Sequence, residues 1–185
     1  MSLKHAILVL LDREPGSGYD LTQRFSLGIG HFWQASHQQI YQQLKKLDAE
    51  KLVRFKTLPQ EGKPDRKLYD ITASGRKALE QWLHSAEKPP VVRDALLIKI
   101  FAASEADYPA LIVEIDRHIS LHQAALRNHQ GIEAEFFKLS REQRQKHRLP
   151  YLTLRRGIRY EREWIEWLKE TRTLLTSDRL PDEPA

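Results

Sequence analysis

The sequence predicts a mainly α chain: an N-terminal winged helix-turn-helix with a two-stranded β wing, followed by a domain of long helices. Three observations carry that prediction. Ile40, Leu44 and Leu47 recur at helical spacing with Tyr41 beside them, while Ser36, His37, Gln38, Gln39, Gln42, Lys45 and Lys46 fill the other faces. Directly afterwards the chain alternates apolar and polar through Leu52, Arg54 and Lys56. It turns at Gln60–Asp65 and re-enters a strand-like run at Lys67–Ile71. Beyond residue 90, two long stretches carry apolar stripes at three- and four-residue spacing, the pattern of a helix seam.

Composition narrows the function classes. The 185 residues suit one or two domains, and 41% hydrophobic content is enough for a core. No run approaches the roughly 18 apolar residues of a membrane span, and no secretory cleavage site follows Ala6–Leu11, so no membrane partner is expected. Cysteine is absent, which removes disulfides, thiol catalysis and Cys-zinc sites and fits a reducing cytoplasm. The formal charge is +5, and residues 41–77 hold ten Lys or Arg against five acids, so the excess lies on the helix and hairpin described above. That distribution points to an anionic partner for this stretch.

In chain order, residues 3–13 predict a first helix with Ser2 as its cap, stopped by Glu14-Pro15-Gly16-Ser17-Gly18. A second short helix is expected over Tyr19–Phe25. A connector, Ile29–Trp33, follows it, and Ser36 is expected to cap the third helix. Thr72-Ala73-Ser74-Gly75 opens a fourth helix, and Lys88-Pro89-Pro90 marks the domain boundary. The expected organisation is 1–88 for the winged helix, 91–176 for the helical domain and 177–185 for a flexible tail. Within 91–176 we expect a short helix at 94–103, a long one at 107–139, a charged connector at 140–149 and a last helix at 151–176. Each long helix would span about 40–50 Å. A second copy of the chain is the simplest cover for such stripes, so a homodimer is expected. Paired recognition helices then suit two half-sites about 34–36 Å apart.

Several blocks in order carry a family resemblance: LKHAILVLLDREPGSGYDL, IYQQLKKLDAEKLV, EGKPDRKLYDITASGR and, later, VRDALLIK and LTLRRGI. The chain resembles PadR-type transcriptional regulators, and among them a virulence-activator-type subgroup with a long-helix C-terminal dimerisation domain. The resemblance implies a bacterial, cytoplasmic homodimer bound to double-stranded promoter DNA, with no cofactor and no enzymatic activity. Ser36, His37, Gln38, Gln39, Tyr41, Gln42, Lys45 and Lys46 would serve the groove-facing helix, and Lys63, Arg66 and Lys67 the wing. Dimerisation would rest on Ile112, Ile115, Ile119 and Leu126, with Ile158, Trp164, Ile165 and Leu168 from the last helix. Two glycines usual in the family are replaced here, by Lys51 after the recognition helix and by Gln38 near its start.

The proposed contacts follow from side-chain chemistry. Glutamine offers a donor and an acceptor together, which matches adenine in the major groove. Lysine and arginine neutralise phosphates and set affinity rather than sequence choice. Other constellations fail on chemistry. Gly28-Ile29-Gly30 lacks the third glycine of a dinucleotide loop, where Trp33 stands. His118 and His122 lie one turn apart, but packing on a helix seam explains them better than a metal does. No serine sits in a nucleophile elbow. Two alternatives stay open: a regulator with a small-molecule effector of unknown identity held near Trp164 and Trp167, and a protein-interaction adaptor on the same fold.

Overall fold

The computed structural model describes residues 3–30, 32–33, 35–59, 62, 65–89, 91 and 93–177, and two compact units divide the chain at Pro89–Pro90. The expected cap Ser2, most of the wing tip including Lys63, and residues 178–185 of the expected tail lie outside the described residues.

The first unit runs α1 (Leu3–Arg13), β1 (Gly16–Ser17), α2 (Gly18–Gly28), α3 (His37–Ala49), β2 (Val53–Leu58), β3 (Arg66–Ile71) and α4 (Ala73–Leu83). Ile7, Leu8 and Leu11 of α1, Leu21 of α2 and Ile40, Leu44 and Leu47 of α3 are fully covered in one core with Val53 and Ile71. The apolar positions of α3 fall on one side of a 3.6-residue helix, so burying them leaves its polar positions outward. The wing hairpin pairs Val53 with Ile71, Phe55 with Tyr69 and Leu58 with Arg66.

A third strand extends this sheet, which runs in the order β1-β3-β2. Gly16 pairs with Tyr69 and Ser17 with Leu68, both antiparallel. The sequence predicts only a helix stop at this Pro-Gly stretch, because two residues show no alternation. The turn into α4 is tied back to the wing as well. The Thr72 hydroxyl accepts from the Gly75 N–H at 3.0 Å and donates to the Lys51 carbonyl at 2.8 Å.

The second unit comprises α5 (Ala95–Ala102), a 3-10 turn at Glu105–Asp107, α6 (Tyr108–Lys138), α7 (Arg141–Lys146) and α8 (Arg148–Leu174). The expected connector over 140–149 contains α7, whose N-cap Ser140 accepts from the Gln143 N–H. Pro150 lies in the first turn of α8, where its missing N–H leaves no bond unmade. Helices α6 and α8 lie antiparallel. Asp116 meets Arg172 at 2.7 Å, His122 meets Glu161 at 2.6 Å and Glu133 accepts from the Tyr151 hydroxyl at 2.9 Å. Leu96, Leu111, Ile115 and Leu168 form the centre, with Ile119, Trp164 and Trp167 packed around it. The two long stripes therefore cover one another to a large extent. Helix length alone overstated how much of them a second copy must bury.

Candidate nucleic-acid interface

Helix α3 starts on a reciprocal cap. Ser36 Oγ accepts from the Gln39 N–H at 3.2 Å, and Gln39 Oε1 accepts from the Ser36 N–H at 2.8 Å. The motif is legible as serine followed three positions later by glutamine. It also means that one polar atom of Gln39 is already engaged within the protein. Ser36, His37, Gln38, Gln39, Tyr41, Gln42, Lys45 and Lys46 are all exposed, opposite the buried Ile40, Leu44 and Leu47. The helix ends at Glu50, and Lys51 takes a positive φ of 60°.

Three described cations of the wing have partners on the protein. Arg54 bonds Asp70 across the β2–β3 pair at 2.8 Å. Lys67 places its ammonium 4.1 Å from the centre of the Phe55 ring. Arg66, the first residue of β3, forms an ion pair with Asp20 of α2. Each remains exposed at its outer edge, so the wing carries positive charge that is fixed in direction.

Asp20 was not among the expected site residues. Its carboxylate accepts from the Ser17 N–H at 2.8 Å and from the Ser17 hydroxyl at 2.9 Å, besides Arg66. Burial pushes the Asp20 carboxyl up, but the Ser17 bonds and the Arg66 guanidinium outweigh it and hold the group below its ordinary value. The signal for the cap is present in the sequence as Ser17-x-x-Asp20. Its link to Arg66 is not, because it depends on the β1–β3 pairing. Gly18, between them, lies under α3: a Cβ there would meet the Tyr41 ring at 2.5 Å.

In the second unit, Ile115, Ile158, Ile165 and Leu168 are buried within the protomer, whereas Ile112, Ile119, Leu126 and Trp164 are half-buried. His122 stacks on Trp164 at 5.2 Å with an interplanar angle of 5° and bonds the buried Glu161. Among the described residues no group of three or more His, Asp or Glu could hold a metal ion. A cavity of about 560 Å³ opens beside Leu97, Tyr160, Trp164 and Trp167, and Arg93, Arg156, Asp94 and Glu163 also line it. No described helix is long and apolar enough to cross a membrane.

Residues 7–81 match the transcriptional regulator PadR-like family, and residues 92–176 match the family described as virulence activator alpha C-term. A probable transcriptional regulator of Mycobacterium tuberculosis is 35% identical, over 97% of this chain and 100% of that protein. The structure of the Vibrio cholerae virulence activator AphA is similar at a TM-score of 0.77 and 33% identity, covering 96% of this chain and 100% of that one. Bacillus subtilis PadR in complex with operator DNA is similar at a TM-score of 0.76 and 32% identity, over 94% and 98% of the two chains. The same protein has been solved with p-coumaric acid, at a TM-score of 0.73 and 30% identity over 95% and 99%. This chain belongs to the PadR-like family of winged-helix, DNA-binding transcriptional regulators.

Proposed function

We propose that this regulator binds double-stranded promoter DNA as a homodimer, sequence-specifically and without catalysis. Residues 1–88 serve as the reader and 91–176 as the dimerisation domain. The carrying observation is the division of α3, whose apolar positions are sealed in the core while its polar positions from Ser36 to Gln39, with Gln42, Lys45 and Lys46, stay exposed. An outward helix face of glutamines and lysines suits base edges and their flanking phosphates in the major groove. Arg66 and Lys67 lie on β3 and, with Lys63, would track the backbone. The operator complex of B. subtilis PadR supports the same partner class for this chain.

Selection from a random duplex pool at moderate salt tests the reading. The chain should enrich a two-fold-symmetric motif, and Gln38→Ala or Gln42→Ala should change the preferred bases. Neutralising Lys63, Arg66 and Lys67 together should instead weaken all duplexes and flatten the salt slope by about 0.9 for each phosphate that is no longer neutralised. Failure to enrich any duplex would favour the protein-adaptor alternative.

One observation favours a second, additional reading. The cavity beside Trp164 and Trp167 has an aromatic wall, and its lining carries Arg93 and Arg156 together with Asp94 and Glu163, which suits a flat aromatic molecule with polar substituents. The B. subtilis relative solved with p-coumaric acid supports an effector of this class. p-Coumaric acid should quench tryptophan fluorescence saturably and raise the melting temperature. A flat titration with Trp164→Ala matching the wild type would remove this reading.

A further inference from the structure

The Ser17–Asp20 turn is where the elements of the proposed reader meet. Ser17 pairs with Leu68 of β3, so the start of α2 is fastened to the wing by backbone bonds. Gly18 packs under Tyr41, so the same turn touches the groove-facing helix. Asp20, at the third position of α2, closes the cap on Ser17 and holds Arg66 at the root of the wing. A guanidinium has five N–H donors in a planar fork, and a carboxylate on one edge fixes the direction of the other.

We propose that Asp20 is a positioning residue for DNA recognition, holding Arg66 so that its free edge meets a backbone phosphate in register with α3. The proposal rests on the DNA-binding reading above. An acid close to a phosphate-binding surface would otherwise repel the ligand. Its pairing with Arg66 explains why it is tolerated there, and it makes the two residues one functional unit. Helix capping alone accounts for the bonds to Ser17. It does not account for the same oxygen being spent on a wing arginine 46 residues away.

The test uses the full chain, a duplex enriched from the random pool and a scrambled duplex of equal length. Asp20→Asn keeps an oxygen for the Ser17 cap but lowers the charge that orients Arg66. It should weaken the enriched duplex by about tenfold, the loss of one charge-assisted bond, while leaving the scrambled duplex unchanged or tighter. Arg66→Gln should weaken the enriched duplex more than this. Combining the two substitutions should cost less than the product of the single effects, because removing the arginine leaves Asp20 unpaired only when Asp20 is still charged.

Ser17→Ala separates positioning from folding, since it removes the hydroxyl half of the cap and leaves Arg66 paired. It should lower the melting temperature and leave the ratio of enriched to scrambled affinity intact. Independent, multiplicative losses for Asp20→Asn and Arg66→Gln would overturn the proposal. So would a fall in both affinities that merely follows the melting temperature. Wild-type chain that enriches no duplex would remove the DNA-binding reading itself, whereas wild-type binding with an unaffected Asp20→Asn variant removes only the role of Asp20.

Discussion

Lys51 occupies the position where a helix reverses into the following strand. The Leu52 N–H reaches the Leu47 carbonyl and the Lys51 N–H reaches that of Asp48, each at 2.9 Å, which closes α3 as a Schellman motif. That closure requires a left-handed residue, and Lys51 supplies it at φ 60° against the steric preference of a side chain with a Cβ. Lys51→Gly should therefore raise stability by about 1 kcal/mol in urea unfolding, with Lys51→Ala, which loses the charge but keeps the Cβ, showing no such gain. Equal behaviour of the two variants would mean that charge, not conformation, matters there. Gly75 presents the opposite case: a Cβ would sit 2.1 Å from the Leu52 carbonyl oxygen. Backbone has to move to admit it, so Gly75→Ala should cost about 3 kcal/mol, read from the same unfolding curves. Acid titration probes Asp20. Its folded carboxyl lies below the ordinary 3.8, so the stabilisation it gives is present above that value and disappears as pH falls through the depressed one. On acidification from neutral pH to well below 3.8, the wild type should lose more stability than Asp20→Asn, and parallel losses would contradict the assigned shift.

Among the elements, α3 and the β2–β3 hairpin were legible because each buries one face, and the period of the burial is written into residue order. β1 was not legible, since Gly16 and Ser17 are strand only by virtue of the β3 edge they pair with. The stripes of α6 and α8 were visible as stripes, but a stripe does not name its partner: Ile115 is sealed in one cluster with Leu168 of the same chain. The contacts between side chains distant in sequence were hidden for the same reason. His122 reads as a seam residue, and only the antiparallel placement of α8 brings the Glu161 carboxylate to it. Glu161 is 7% exposed, so its removal leaves the imidazole without its carboxylate partner. Glu161→Ala should lower stability by about 3 kcal/mol, and the loss should shrink when His122 is also replaced by leucine. Identical losses in the single and double variants would show that the pair contributes through packing alone.

At the scale of the molecule, the second unit leaves apolar side chains on its surface that its own helices do not cover. Ile98 of α5 is 70% exposed, Phe101 is 93% exposed and Val113 of α6 is 70% exposed. Scattered apolar residues are ordinary on any surface, but large side chains concentrated on α5 and the start of α6 suit the burial that a second copy offers. On this reading the exposed side chains of α5 and α6 join the intersubunit contact of the proposed homodimer, with Ile158, Ile165 and Leu168 supporting it from within the protomer. Ile98→Glu combined with Phe101→Glu should then give a folded monomer by sedimentation, with unchanged helical circular dichroism. DNA binding should respond in a specific way, because two linked readers gain from the high effective concentration of the second half-site. The monomer should bind a two-half-site duplex about a hundredfold more weakly and with half the salt slope, while its affinity for a single half-site stays at the wild-type level. A variant that remains dimeric would exclude this face as the intersubunit contact. A monomer that binds both duplexes as tightly as the wild type would separate dimerisation from DNA recognition.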